Sequence, residues 1–400
     1  MTQIDASNSI ASLFRPGLPS PVERFAGYPR YNFGGGHTDP EQVPVQALVK
    51  ASETVLQRHG SLLALYNLGH GPQGFEGLRD IIAYQIAKRR GIQCTPDDVL
   101  VTSGATQALH LLNQVFLQPN DTVVFERFSY ANAIREVRSL GCRIVPAPLD
   151  EAGIQVDALA EILGNLRRAG IRPKYIYTMP TVQNPTGSVL PIERRNALLA
   201  LAAEFDTIVI EDDCYADLVW RSHVPAALYA LDSSRVIHVG SLSKLLAPSM
   251  RLGYIIANWE ALKQIIACKK DGGTAAIEQM VASEFLATQY DNHAARVKAA
   301  LERKALCLST SLREEFRESV EYAVPIGGTS LWVRFPDHID TRLLLRWSGS
   351  EGILFYPGED WSCGEPATSY ARFCFALLSI DQIRRGIAML AEICARRGVL

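Results

Sequence analysis

The 400-residue sequence is first informative for what it lacks. No apolar run approaches the ~18–20 residues that a helical membrane span requires. The first residues, MTQIDASNSIASLFRPG, have neither the basic start nor the apolar stretch of a signal peptide. Eight cysteines (Cys94, Cys142, Cys214, Cys268, Cys307, Cys363, Cys374 and Cys394) form no CxxC pair and do not cluster with histidine. That spacing argues against a zinc site and a disulfide framework, and fits reduced thiols. With 40 Lys+Arg against 42 Asp+Glu, the net charge of −2 offers no electrostatic case for nucleic acid or an anionic membrane surface. There are no repeats and no low-complexity segment. A soluble, cytoplasmic protein is the expectation, and 48% apolar with 20% charged residues is ordinary for a globular chain.

The length allows one large core and a smaller domain, because single cores stop growing near ~250–300 residues. Residues 1–35, rich in Pro, Gly and Ser, read as an N-terminal arm. From about residue 98, short β-branched runs alternate with helical ones. Strands are expected at 99–102, 122–125, 142–145, 175–178, 207–210, 236–239 and 254–257, with helices at 77–90 and 105–116. Such alternation predicts an α/β fold, a mostly parallel seven-stranded sheet between helices. Ligands bind such sheets at the carboxyl ends of the strands. After about residue 290 a long polar helix, 292–317, leads into an α/β tail whose last helix carries Ile383, Ile387, Leu390 and Cys394 on one face. The expected division is therefore an arm at 1–35, a large domain at 36–290 and a small domain at 291–400 that includes part of the N-terminal segment.

The segment Gly240-Ser241-Leu242-Ser243-Lys244, with Pro248, Arg251 and Gly253 following, carries the most chemistry. A lysine between two hydroxyls, with an arginine seven residues on, suits an amine that forms an imine with an aldehyde cofactor. Ser241, Ser243 and Arg251 would then hold a phosphate on that cofactor. Glu211-Asp212-Asp213-Cys214-Tyr215 follows another strand. Asp212 is placed to face a protonated ring nitrogen, and Tyr215 to donate to a phenolic oxygen. Helix capping is the plainer role of such acids. Gln183-Asn184-Pro185-Thr186-Gly187 is a turn whose Asn184 can share that oxygen. In Thr102-Ser103-Gly104-Ala105-Thr106, a strand, a glycine turn and a helix start, the amides of Ala105 and Thr106 make a phosphate cradle. Tyr130 offers an aromatic face for a cofactor ring, or for the core. Arg372, alternating with aromatics in Ala371-Arg372-Phe373, suits a substrate α-carboxylate or an internal salt bridge.

Taken together, in this order and spacing, these motifs resemble those of the fold type I aminotransferases of class I/II, in the branch of the aminoadipate and kynurenine aminotransferases and the catalytic domains of MocR-type regulators. The likeness runs from about residue 30, through Phe33-Gly34-Gly35-Gly36, to about 395, and includes Gly327-Gly328 before Trp332 and Tyr356-Pro357-Gly358. It implies pyridoxal 5'-phosphate (PLP) bound through Lys244, Asp212 and Tyr215 as catalytic partners, and a cofactor shell of Gly104, Ala105, Thr106, Tyr130, Asn184, Ser241, Ser243 and Arg251. Gly36 and Asn184 would lie beside Arg372 at the substrate. A homodimer is implied too, each site being completed by a tyrosine of the other chain; Tyr66 is the candidate, although it precedes Gly74-Phe75-Glu76-Gly77-Leu78-Arg79 by more residues than is usual. The implied reaction moves an amino group between an α-amino acid and a 2-oxo acid through a lysine Schiff base. Relatives of this core also run elimination, replacement, decarboxylation and oxidation, and a PLP-sensing transcriptional regulator is a third possibility.

Overall fold

The computed structural model describes residues 10–14, 17–18, 21–221 and 223–399. Seven strands form its main sheet: β1 (Val99–Thr102), β2 (Thr122–Glu126), β3 (Arg143–Ala147), β4 (Tyr175–Thr178), β5 (Ile208–Asp212), β6 (Val236–Ser241) and β7 (Gly253–Ile256). Their order is β1-β7-β6-β5-β4-β2-β3. Only β7 runs antiparallel to its neighbours. β1, β2, β4, β6 and β7 are buried at every position, as unbroken Val/Ile/Tyr runs covered on both faces should be. Helix α1 (Val45–His59) precedes the sheet; α2 (Gly104–Phe116) leaves β1 and buries Ala108, Leu111 and Leu112, while α3 (Ala131–Ser139) follows β2.

The lone antiparallel strand has a positional consequence. Because β7 starts where β1 and β6 end, Gly253 lies opposite both Thr102 and Ser241. Arg251, two residues before it, is thereby delivered to the carboxyl edge of strands it does not belong to. The approach is close enough that a Cβ on Gly253 would fall 2.5 Å from the Gly104 carbonyl carbon and 2.6 Å from the Ala105 nitrogen.

Three expectations are adjusted. Strand β5 starts at Ile208 and ends on Asp212 itself, so the carboxylate is part of the ladder rather than of the loop after it. Helix 77–90 begins at Glu76 and passes into a π-helical stretch, Ile82–Ala87. The long helix, expected from residue 292, is α4 (Ala276–Phe316), 41 residues and about 60 Å long. Its first four turns bury Met280, Val281, Phe285 and Leu286 without any side-chain cap at Ala275, which is why its start leaves no capping signature. It passes unbroken through residue 290, packs against α1 and runs along the final helix, α5 (Ile380–Arg397).

A second sheet joins β8 (Ser330–Arg334), β9 (Tyr356–Pro357) and β10 (Tyr370–Cys374), with β10 in the middle. Arg372 is therefore flanked in register by Trp332 and Tyr356. The segment before the first helix is tied to this region: Tyr31–Asn32 pairs in parallel with Ile353–Leu354, and Phe33 is fully buried beneath Gly386. The buried Lys304 Nζ then holds Asp39 at 2.8 Å while donating to the Ala376 carbonyl at 2.8 Å. These anchors fix the glycines at 34–36. Among the described residues no helix is long and apolar enough to cross a membrane.

Candidate active site

Five parallel strands and the start of β7 deliver their following residues to one edge. Gly36, Ala105, Thr106, Tyr130, Asn184, Asp212, Tyr215, Ser241, Ser243, Lys244, Arg251 and Arg372 line a single cavity of about 440 Å³ there. Gly104 stands directly behind Arg251: its φ is +78°, and a Cβ would meet the guanidinium at 2.5 Å, so only glycine serves. Tyr66 is the exception. It is 88% exposed and is not part of the cavity wall.

Three consecutive acids at the end of β5 have three separate fates. Glu211, wholly buried, accepts from the amides of Leu228 (2.6 Å) and Tyr229 (3.1 Å) and lies 2.9 Å from His238 Nδ1. Asp213 accepts from Arg90 Nε at 2.6 Å, both groups being buried; burial opposes its charge, but Arg90, helped by His238 and Arg195, holds the carboxyl below its ordinary value. Asp212 faces the cavity. Its Oδ2 accepts from the Tyr177 hydroxyl at 2.7 Å, and its Oδ1 is buried with no hydrogen-bond partner. Burial raises its pKa, with Cys214 and Tyr177 pulling the other way. An unpaired buried acceptor costs about 1–3 kcal/mol, so Oδ1 is aimed at a donor that the chain does not supply.

Lys244 Nζ donates to the Gly36 carbonyl at 2.6 Å. A side chain at residue 36 would occupy the same place, since its Cβ would lie 2.5 Å from that nitrogen. Burial lowers the Lys244 pKa and nearby Arg372 lowers it further, against Cys374, Cys214 and Tyr130, which raises the share of nucleophilic free amine. Ser241 Oγ accepts from the Ser243 amide at 3.1 Å. Arg251, in the left-handed region at φ 52°, spans to the Ser103 carbonyl at 3.1 Å and so closes the cup made by the start of α2. On the facing side Tyr215 is buried, and burial pushes its hydroxyl up to about 12 despite Arg372, so it remains a donor at neutral pH.

Arg372 is 2% exposed, yet among the described residues no acidic side chain pairs with it. Its Nε has no hydrogen-bond partner, and its Cζ lies 4.7 Å from the centre of the Trp361 ring. The internal salt bridge that the sequence left open is absent among the described residues. A buried guanidinium in this condition has donors free for a carboxylate that enters the cavity. Asn184 Oδ1 is likewise buried and unpartnered. Its turn is held by Gln183, whose amide donates to Glu126 Oε2 at 3.0 Å and to the Phe128 carbonyl at 2.6 Å. Burial pushes the Glu126 carboxyl up to about 7 against those hydrogen bonds.

The orphaned Asp212 Oδ1 for a ring N–H, the hydroxyl and guanidinium cup for a phosphate, and the lysine between them fit PLP. Sequence reasoning missed Tyr177, Arg90, Trp361, Met179, Asn132 and Arg135. The first two lie inside a strand and at a helix end, where polar residues carry no motif. Trp361 comes shortly after the Tyr356-Pro357-Gly358 signature that could have drawn attention to it.

Sheet order, switch of strand direction and cavity chemistry define a fold type I PLP-dependent transferase. The family model described as aminotransferase class I and II matches residues 35–390, and the chain belongs to that family. It is thus an aminotransferase, an enzyme that moves an amino group between an α-amino acid and a 2-oxo acid with PLP as cofactor. It is 32% identical to aromatic-amino-acid aminotransferase 1 of Thermococcus litoralis over 365 residues, 90% of this chain and 87% of that protein. The α-aminoadipate aminotransferase of Thermus thermophilus, solved with N-(5'-phosphopyridoxyl)-L-leucine, superposes with a TM-score of 0.85 at 30% identity, covering 92% of each chain. The kynurenine aminotransferase of Pyrococcus horikoshii superposes with a TM-score of 0.86 at 31% identity, covering 92% of this chain and 91% of that one.

The Arg90–Asp213 pair tests how the Asp212 strand end is held. Removing the cation in Arg90→Met leaves a buried charge unpaired and should destabilise the fold by about 3–5 kcal/mol, with much of that restored in Arg90→Met/Asp213→Asn. Denaturant unfolding of the two variants checks this; equal losses in both would show that the charge is not what matters.

Proposed function

We propose that the chain acts as a cytoplasmic homodimer in which residues 36–290 carry the PLP site, residues 291–400 with part of the N-terminal segment carry the substrate carboxylate receptor, and residues 1–35 form an arm. Bound in the cavity, PLP supplies an aldehyde that takes up the amino group and a pyridinium ring that withdraws electrons from the bond being broken. Asp212 Oδ1 would accept the ring N–H and keep that proton in place. Tyr215 and Asn184 would hold the phenolic oxygen. The amides of Ala105 and Thr106, the Thr106, Ser241 and Ser243 hydroxyls and Arg251 hold the phosphate, with Gly104 leaving room for the arginine.

Lys244 anchors the cofactor in the resting enzyme. When not engaged by the cofactor, its Nζ would be the base for the proton on the substrate Cα. Arg372 grips the substrate α-carboxylate beside Gly36 and Asn184, fixing which Cα bond faces that base. Tyr130, on the cavity wall, would cover the ring. Tyr66, exposed and away from its own cavity, serves the phosphate of the second subunit. The observation that carries this assignment is the buried Arg372 without a carboxylate of its own, in the same cavity as a pKa-lowered lysine.

Purified holoenzyme should absorb in the visible, and borohydride should fix the cofactor to the protein. Lys244→Ala should lose both signals, and an adduct still forming on another lysine would contradict the assignment. In Arg372→Ala, KM for amino acids should rise by the equivalent of about 2–5 kcal/mol while PLP affinity stays near that of wild type. A steady-state comparison with a cofactor titration reads both; an unaltered KM would make Arg372 structural. Conversion of the cofactor to its amine form by an amino acid, reversed by a 2-oxo acid, separates transamination from elimination, which releases ammonia without an acceptor.

A further inference from the structure

The buried Arg372 guanidinium has no acid beside it, yet it is not unsupported. Its Cζ lies over the Trp361 ring, 4.7 Å from the ring centre, and Trp361 is itself only 4% exposed. A cation over an indole face is attracted by the ring quadrupole, most strongly where both groups are shielded from water. The contact uses the flat face of the fork, and Nε stays without a hydrogen-bond partner. An acidic residue in the same place would have taken those donors, whereas the indole leaves the edge of the fork open.

The ring is fixed by contacts that do not involve Arg372. The turn that carries it, Gly358–Trp361, is pinned by Arg342, which donates to Glu359 Oε2 at 2.7 Å and to Asp360 Oδ1 at 3.2 Å. On the other side the segment pairs with the chain between β2 and α3. The Ser129 amide donates to the Trp361 carbonyl at 2.8 Å, the Cys363 amide donates to the Arg127 carbonyl at 3.0 Å, and Phe128 bridges to Ser362. Tyr130 and Tyr356 flank the indole, their ring centres 6.3 and 6.2 Å from it. Trp332, in register with Arg372 on β8, is stacked instead on Tyr370 at 5.3 Å and 18°. An indole held in this way can hold a guanidinium in turn.

We propose that Trp361 is the positioning residue for Arg372: its face holds the buried guanidinium without a counter-ion, so that the N–H edge is ready for the substrate α-carboxylate. That role rests on Arg372 being the carboxylate receptor of the proposed function. An aliphatic side chain at 361 would leave the cation unheld, and an acidic one would occupy its donors.

The test is a double-mutant cycle on holoenzyme, with pentanoate, a carboxylate that carries no amine, as the probe. Ligand-observed NMR titration compares wild type, Trp361→Leu, Arg372→Ala and the double variant, with Trp361→Phe keeping an aromatic face. Visible absorbance of the bound cofactor shows that each site is intact. Pentanoate affinity should fall about 3- to 30-fold in Trp361→Leu and by less in Trp361→Phe. With Arg372 already removed, the change to leucine should cost nothing further. Amino acids that convert the wild-type cofactor should show the loss in KM and not in kcat. Should Trp361→Leu fail to retain the cofactor, Trp361→Phe is read alone, its smaller loss again vanishing without Arg372. Unchanged affinity in the Trp361 variants, or an equal loss with Arg372 already gone, would overturn the proposal while leaving Arg372 as the receptor. If Arg372→Ala binds pentanoate as the wild type does, the receptor role itself fails, and this inference with it.

Discussion

The structure turns on one carboxylate at the end of a central strand. Asp212 closes β5 at 2% exposure, with Tyr177 satisfying one of its oxygens and the chain leaving the other bare. The desolvation of such an acceptor is uncompensated until a donor arrives, and Asp212 Oδ1 differs from the equally unpartnered Asp213 Oδ1 in belonging to a residue that lines the cavity. The acids on either side are spent locally, Glu211 on two backbone amides and His238, Asp213 on Arg90. Their networks pin the strand end, so that Asp212 is fixed in direction as well as position. In this sense the neighbouring residues do the structural work and Asp212 is free for chemistry.

Around that point the backbone is arranged for close approach. β7 reverses direction and so brings Arg251 to the edge where β1 and β6 finish; glycines at 36, 104 and 253 remove the side chains that would stand in the way of Lys244, Arg251 and the start of α2. The cup that results joins hydroxyls, amides and a guanidinium from three different strands. Opposite it, β10 carries Arg372 in the centre of the smaller sheet, between Trp332 and Tyr356. The cavity therefore has this cup on one side and the unpaired Arg372 guanidinium on the other, each built on a rigid element.

Much of this was legible from residue order, because the site lies where strands end and strand ends are marked by glycine, proline and short polar runs. Lys244, Asp212, Asn184 and Arg251 each sit in such a punctuated segment, whereas Arg372 stands mid-strand in β10 as the lone charge among apolar neighbours, and all five meet in one cavity. Most of the strands were visible for the same reason, a buried β-branched run bounded by turns, although β3 is exposed or half-buried over most of its length. What stayed hidden depends on distant partners. Tyr177 looks like any other strand aromatic until β5 is laid beside β4. Arg90 looks like a surface residue at a helix end until it is seen 4% exposed against Asp213. The start of α4 was missed because Ala275 caps it without a side-chain bond. Trp361 lies just past the Tyr356-Pro357-Gly358 signature rather than in it, and Arg135 stands on the polar face of the amphipathic helix α3, where a cavity-lining arginine looks like any solvated one.

The most direct measurement follows the ring proton that the role proposed for Asp212 requires. Enzyme reconstituted with PLP carrying nitrogen-15 in its ring should show, by NMR at neutral pH, a ring nitrogen that is protonated and remains so on raising the pH by two or more units, with that proton lost in Asp212→Ala. A ring nitrogen found unprotonated in the wild type at neutral pH, or equally protonated without the carboxylate, would contradict the account.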